Sequence, residues 1–127
     1  MKTPIWIDER DALAIHDRLL AIHGGAPGLR DAALLASALA RPRHILAYAD
    51  DIGVVDLAAA YTAGLLQNHP FLDGNKRTGF VVGILFLELN GLVFVGSEAT
   101  SANAVMALAA GTIDEAGFAA FLRANVE

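Results

Sequence analysis

Residues 69–91 read HPFLDGNKRTGFVVGILFLELNG, a polar loop followed by a segment that is apolar nearly all round. Apolar residues on every side of Asn75–Leu89 predict a central helix that other helices surround. Gly79 and Gly83 lie four residues apart and would let those neighbours approach closely. The preceding helix must end by His69, because a residue before proline is excluded from the right-handed helical region. The stretch therefore predicts two buried helices joined by a polar loop.

The rest of the chain also carries helical patterns, bounded by caps, glycines and a proline. We predict further helices over residues 8–22, 31–41, 55–68, 97–110 and 112–124. Pro42 is expected to stop the second of them, with 43–54 an irregular segment that could serve as a flap or a partner-binding loop. Residues 92–95 predict an extended link or one strand of a short hairpin. The fold class is all-α, a compact single domain over 1–127 built as a helical bundle around residues 75–89.

Composition excludes several classes of protein. The chain has 127 residues, 55% of them hydrophobic, no cysteine and a net charge of −5. This length suffices for one core, and an acidic chain is a poor general binder of nucleic acid. The longest apolar run falls short of the roughly 20 residues that span a bilayer, and acidic residues occupy the place of a secretory signal. We therefore expect a cytoplasmic protein that binds neither membrane nor nucleic acid directly, with some apolar surface available to a partner.

The loop has the composition of an anion site. Gly74 can adopt a turn conformation that most residues with a Cβ disfavour, and Asn75 tolerates the same region. The first backbone N–H groups of the following helix have no intrahelical acceptor and lie at the positive end of its dipole. Lys76 and Arg77 add positive charge where the dipole disfavours cations unless an anion is bound. This arrangement indicates a ligand that carries phosphate.

Two further residues of the loop suggest a reaction. A single carboxylate such as Asp73 commonly holds Mg²⁺ on a nucleotide phosphate. A histidine has a substantial neutral fraction at neutral pH, so His69 could accept the proton of a hydroxyl. Taken singly, each residue also has an ordinary structural interpretation as a cap, a turn or a solvated charge. We favour the site because all of them crowd into one loop.

The remaining histidines give no comparable signal. His16 and His23 are predicted to be surface or turn residues, and His44 is ambiguous. No spacing typical of zinc ligands is present, nor a GxxxxGK[ST] or GxSxG motif.

The loop resembles the HxFxDxNKR motif of the Fic/Doc family, in particular its Doc (death-on-curing) branch of bacterial toxins. Residues 24–31, 38–42 and 86–91 look similar to Doc proteins as well, so the resemblance covers nearly the whole chain. It implies that His69 is the catalytic base and that Phe71 anchors the loop in the core. It also implies that Asp73 is the acidic residue associated with Mg²⁺.

The resemblance assigns the remaining loop residues to the nucleotide. Gly74 would shape the anion hole, and Asn75, Lys76 and Arg77 would bind phosphate, with Lys76 and Arg77 also counted among the catalytic residues. The implied cofactors are ATP and Mg²⁺. The family transfers either an adenylyl or a phosphoryl group to a protein hydroxyl. Here Lys76 replaces a glycine and Phe80 an arginine of the adenylylating branch, and both departures favour phosphoryl transfer.

The resemblance also implies partners. A Doc-like enzyme would modify a translation elongation factor, block translation and arrest growth. No inhibitory [ST]xxxE[GN] motif is present in the chain. The toxin would then be inhibited by a Phd-type antitoxin whose flexible segment folds into an apolar groove. The alternatives are an adenylyltransferase, a catalytically idle antitoxin-binding module and, more weakly, a phosphate hydrolase.

Overall fold

A computed structural model describes residues 3–127, and the described part of the chain is all-helical. The six helices are α1 (Glu9–His23), α2 (Ala32–Tyr48), α3 (Val54–Asn68), α4 (Asn75–Leu89), α5 (Glu98–Ala110) and α6 (Glu115–Ala124). Between residues 3 and 127 the only extended pairing consists of two isolated bridges, Leu29 with Phe71 and Phe94 with Val126. The predicted fold class is confirmed, and the predicted bounds of α4 are those observed. No helix among these residues is long and apolar enough to cross a membrane.

The antiparallel pair α3 and α4 forms the centre of the bundle. α3 packs against α2, α4, α5 and α6, while α4 packs against α1, α3 and α5. The predicted role of the glycines is confirmed, because a Cβ at Gly83 would lie only 3.1 Å from the carbonyl oxygen of Ala58 on α3. Small residues at this seam bring the two helices together and fix the loop that joins them at one end of the bundle.

The predicted stop at Pro42 is wrong. α2 continues through the proline to Tyr48, and Pro42 is buried inside it. A proline lacks the N–H that would bond to Ala38, four residues earlier, and an interior proline costs about 3 kcal/mol. The helix continues because Ile45 and Leu46, in its last turns, pack against the core.

Only residues 49–53 of the predicted irregular segment are non-helical. They precede α3, whereas the polar loop follows it. Because 15 residues of helix span about 22 Å at a 1.5 Å rise, residues 49–53 lie far from the polar loop. They do not form a flap over it.

Two smaller predictions concern the segments on either side of α5. Of the two alternatives predicted for residues 92–95, the extended link is confirmed and the hairpin is not, since Val93 N–H and Val95 N–H donate to the carbonyls of Glu127 and Asn125. The sixth helix is capped by Asp114, which accepts from Gly117 N–H at 2.8 Å. Thr112, the predicted cap, instead donates its N–H to Ala107 and closes α5.

Candidate active site

The polar loop begins where His69 terminates α3 in the left-handed region, with φ 51° and ψ 54°. Left-handed backbone is uncommon for a residue with a side chain and needs support from its surroundings. Arg30 supplies it, because its Nε donates to the His69 carbonyl at 2.7 Å and its Nη2 to the Asn68 carbonyl at 2.9 Å. The His69 side chain is left exposed at the wall of a cavity.

The segment before α2 holds the next part of the loop. The N–H groups of Arg30 and Asp31 both donate to the Pro70 carbonyl, at 2.7 and 3.0 Å. Leu72 N–H donates to the Gly28 carbonyl at 3.1 Å. The backbone of residues 70–72 is thereby fixed by a segment some forty positions earlier in the chain.

The Asn75 side chain closes the loop on itself. Its Oδ1 accepts from Phe71 N–H at 3.0 Å and its Nδ2 donates to the Phe71 carbonyl at 2.9 Å. Asn75 is only 4% exposed, and Phe71 is buried in the core as predicted. These two bonds hold the side-chain amide against Phe71, and the backbone N–H of Asn75 lies at the start of α4.

The N-terminus of α4 has the features of an anion cradle. Gly74 precedes it in the left-handed region, with φ 79° and ψ 17°, and no side chain in the described part of the chain caps the helix. The first intrahelical bond runs from Thr78 N–H to the Gly74 carbonyl, so the N–H groups of residues 75–77 precede the helical ladder. Lys76 and Arg77 are exposed, and among residues 3–127 neither forms an ion pair.

The Asp73 carboxylate lies beside this cradle. Its Oδ1 accepts from Gly74 N–H at 2.8 Å, and its Oδ2 accepts from Ala26 N–H at 3.2 Å. A Cβ at Gly25 would approach Oδ2 to 2.8 Å, so only glycine lets this segment approach so closely. Each carboxylate oxygen keeps a free lone pair, and the group is exposed. One exposed carboxylate next to a phosphate cradle suits Mg²⁺ carried on a nucleotide.

His16 is not the surface residue that the sequence predicts. It is 2% exposed, its ring stacks on Phe71 with centroids 3.8 Å apart, and its Nε2 lies 2.8 Å from the Asp73 carbonyl. The spacing of His16 could have indicated its burial, because His16 follows the buried Ala12 by four residues and shares its helix face.

The histidines His23 and His44 lie in two different places on the surface. His23 is exposed, as predicted, and reaches the cavity wall, whereas His44 lies at a separate small pocket between α2 and α3. Arg30 and Ala26 were also missed as parts of the site, because nothing in their local pattern ties them to residues 69–75.

An open cavity of about 900 Å³ joins the loop to α5. Its lining includes His69, Asp73, Gly74, Asn75, Lys76 and Arg77, so every site residue predicted from the sequence lines this cavity. Apolar side chains also line it, including Phe80, Val81, Phe94, Val105 and Met106. The cavity is larger than a phosphate group requires, so it can also accept an apolar or aromatic part of a ligand.

One family model and two known proteins are similar in sequence to this chain. The sequence model of the Fic/DOC family matches residues 6–87. "Protein kinase doc" of Escherichia phage P1 is 30% identical over 86 residues, which cover 68% of each chain. "Toxin Doc" of Mycolicibacterium smegmatis is 40% identical over 88 residues, which cover 68% of this chain and 65% of that relative. The match to the second relative thus spans slightly less than two thirds of its length.

Proposed function

Because the chain belongs to the Fic/DOC family, we propose that it is a Doc-like toxin that transfers the γ-phosphate of ATP to a hydroxyl of a target protein. The observation that carries the proposal is the cavity wall where His69, Asp73 and the uncapped N-terminus of α4 meet. A relative whose name includes "protein kinase" supports the choice of reaction. The proposed target, from the family resemblance, is a translation elongation factor.

In this reaction His69 acts as the general base. The hydroxyl oxygen of the target bonds to the γ-phosphorus, its proton passes to the neutral imidazole, and the bond from that phosphorus to the bridging oxygen breaks to release ADP. Phosphoryl transfer depends mainly on positioning and on neutralising the charge of the transferred group. Lys76, Arg77 and the backbone N–H groups of residues 75–77 would supply that neutralisation.

Asp73 would hold the magnesium ion of the nucleotide. Mg²⁺ bound to phosphate oxygens supplies positive charge that offsets the charge of ATP and of the transferred group. Asp73 suits this role because its hydrogen-bond partners among residues 3–127 are backbone N–H groups, which leaves its oxygens partly free. The same two bonds fix the direction in which the carboxylate faces.

The choice of the γ-phosphate rests on two side chains. Lys76 projects from the second position of α4, where the adenylylating branch has a glycine. Phe80 replaces a phosphate-binding arginine and packs edge-on against Phe94, with centroids 5.7 Å apart at 79°. At this position the cavity therefore presents an apolar wall instead of a second cationic clamp. The phosphate-binding site that an adenylyltransferase needs would therefore lack one of its cationic groups here.

Labelled nucleotides test the proposal. The full-length protein is incubated with Mg²⁺, a candidate elongation factor and ATP labelled at either the α- or the γ-phosphate. We expect protein-bound label only from γ-ATP, and none with His69→Asn, since asparagine tolerates the left-handed backbone. Label retained only from α-ATP would establish adenylyl transfer instead. If growth arrest in cells persisted with His69→Asn, toxicity would not depend on catalysis and an idle binding module would be favoured.

We propose further that the apolar side chains of this cavity receive a segment of a Phd-type antitoxin. Met106 is 58% exposed, and it lines the cavity together with Val105 and Phe94. Met106→Glu should weaken neutralisation by a co-expressed antitoxin, because burying an unpaired carboxylate is costly. Full neutralisation of this variant would place the antitoxin elsewhere.

A further inference from the structure

We propose that His16 is a positioning residue for this site: its Nε2–H holds the Asp73 carbonyl, and thereby the peptide group that sets the anion cradle. The proposal rests on the phosphotransfer proposed above. It concerns a residue of α1 that lies outside the loop motif.

The first observation is that His16 contacts the loop at two points. Its ring lies flat on Phe71, with 8° between the planes, and its Nε2 reaches the Asp73 carbonyl at 2.8 Å. Phe71 is also the residue that Asn75 holds by both backbone groups. His16 therefore ties the buried anchor of the loop to the residue that carries the proposed magnesium ligand.

The second observation concerns one peptide group. The Asp73 carbonyl and the Gly74 N–H belong to the same planar unit. His16 holds its oxygen end, and the Asp73 carboxylate holds its N–H end through Oδ1 at 2.8 Å. Without the histidine, this peptide could rotate and turn its carbonyl oxygen toward the cavity. A carbonyl dipole in that direction would repel the anion that the cradle is built to bind.

The third observation is the closeness of the ring to the turn. A Cβ at Gly74 would lie 3.6 Å from His16 Nε2, so the imidazole forms the floor directly beneath the left-handed residue. Because a carbonyl oxygen only accepts hydrogen bonds, Nε2 must carry a hydrogen. On the other side of the ring, Nδ1 lies 4.0 Å from Asp17, whose side chain is 83% exposed. Of the two ring nitrogens, Nε2 is therefore the one that bonds to the loop.

Two substitutions separate the hydrogen bond from the packing. His16→Phe keeps an aromatic ring on Phe71 but has no donor, whereas His16→Gln keeps a donor at the end of a side chain of similar reach. His44→Phe, at an exposed position outside the cavity, is the matched control. In each variant kcat and KM for ATP are measured with γ-labelled nucleotide, and the amide resonance of Gly74 is followed by NMR.

We expect His16→Phe to lower kcat by about 10- to 100-fold, the range in which a misplaced catalytic group acts. The Gly74 amide should shift in the same variant. His16→Gln should recover most of the rate, and His44→Phe should match the native chain. Native turnover and an unshifted Gly74 amide in His16→Phe would overturn the proposal. Equal loss in both His16 variants, with no rescue by glutamine, would leave only a packing role and would overturn it too.

A failure of the proposed function can be distinguished from a failure of the positioning role of His16. If the native protein transfers no phosphoryl group, the phosphotransfer function fails. The Gly74 resonance and the binding of MgATP, followed on the same amides, still decide the positioning role. An unshifted Gly74 and unchanged MgATP binding in His16→Phe would then refute that role independently.

Discussion

At the residue scale, one buried amide determines the shape of the loop. Asn75 pairs with both backbone groups of Phe71 while its own N–H begins α4. The residue therefore connects a core anchor to the first turn of the central helix. Its polarity is needed inside the molecule, while the phosphate contact that the family resemblance implies for it stays a prediction.

Asn75→Ala should destabilise the protein. The substitution leaves the N–H and the carbonyl of Phe71 unpaired in a buried place, which costs about 2–3 kcal/mol in total. Urea unfolding followed by circular dichroism measures the loss. Asn103→Ala, at an exposed position of α5, controls for the change in helix propensity and should be neutral or slightly stabilising. Equal stability of the two variants would contradict the bridging role of Asn75.

Tyr61 should make stability depend on alkaline pH. Burial raises the pKa of its hydroxyl above the ordinary value, which is about 10. A raised folded-state pKa contributes stability that is fully present below the unfolded-state value and is lost as the pH rises through the folded-state value. The hydroxyl also accepts a hydrogen bond from Ile7 N–H at 3.0 Å.

Tyr61→Phe should therefore cost about 1–2 kcal/mol at neutral pH, because Ile7 N–H loses its acceptor. The difference in stability from the native chain should shrink above a pH of about 10. There the tyrosine ionises more readily in the unfolded chain than in the folded one, so the native chain loses stability, whereas the phenylalanine variant has no hydroxyl to ionise. Unfolding in urea at both pH values measures this. Tyr48→Phe, whose side chain is 90% exposed, should show neither effect. A gap that stays constant with pH would refute the contribution of Tyr61 ionisation.

At the scale of elements, the packing of α3 on α4 depends on which glycine faces which neighbour. Gly83 lies against Thr62 and the Ala58 carbonyl, where an added Cβ would overlap the Thr62 hydroxyl. Gly64 lies against Ala38 of α2, and an added Cβ there would find its nearest atoms at 3.5 Å, an ordinary contact. The two positions thus differ in available space although both lie inside helices.

Gly83→Ala should destabilise the protein by about 1–3 kcal/mol through overpacking, despite the better helix propensity of alanine. Gly64→Ala should be neutral or stabilising by up to about 1 kcal/mol, because the propensity gain meets no clash. Thermal and urea unfolding of the two variants give the comparison. A reversed order of stability would mean that the seam between α3 and α4 can open without cost.

Helix α2 illustrates why local pattern predicted some boundaries and not others. Residues with strong local causes, such as the pre-proline His69 or the N-cap Ser97, end or begin helices where the sequence indicates. Pro42 has an equally strong local preference, yet tertiary contacts of the following turn outweigh it. Local preferences of about 3 kcal/mol are thus decisive only where no buried contact opposes them.

At the scale of the whole molecule, the site combines parts of the chain that are distant in sequence. The loop at 69–75 supplies the chemistry, His16 holds it from α1, and residues 24–31 hold it from the segment before α2. Ligand binding at such a site should stabilise the folded molecule as a whole, because a ligand that binds only the native state adds its binding free energy to that of folding.

MgATP at about 100 times its Kd should raise the free energy of unfolding by about 2.7 kcal/mol. Asp73→Asn should remove the part that depends on Mg²⁺ while leaving the part that ATP contributes without the metal. Thermal shifts with ATP, with and without Mg²⁺, measure the two parts. Asp51→Asn, at an exposed position far from the cavity, should retain both. The same Mg²⁺ increment in Asp73→Asn and the native chain would rule out the proposed metal role of Asp73.

The sequence by itself determined the all-helical fold, the ends of α3 and α4, and the six predicted site residues in the loop between these helices and the first turn of α4. These features depend on interactions within a few residues: helical periodicity, the steric effect of a proline, and the dipole of a single helix. Only the tertiary structure decided that α2 passes through Pro42, that the Asn75 amide binds the backbone of Phe71, and that His16, Ala26 and Arg30 support the loop. Those outcomes depend on contacts between residues far apart in the chain, where burial and hydrogen bonding outweigh local preference.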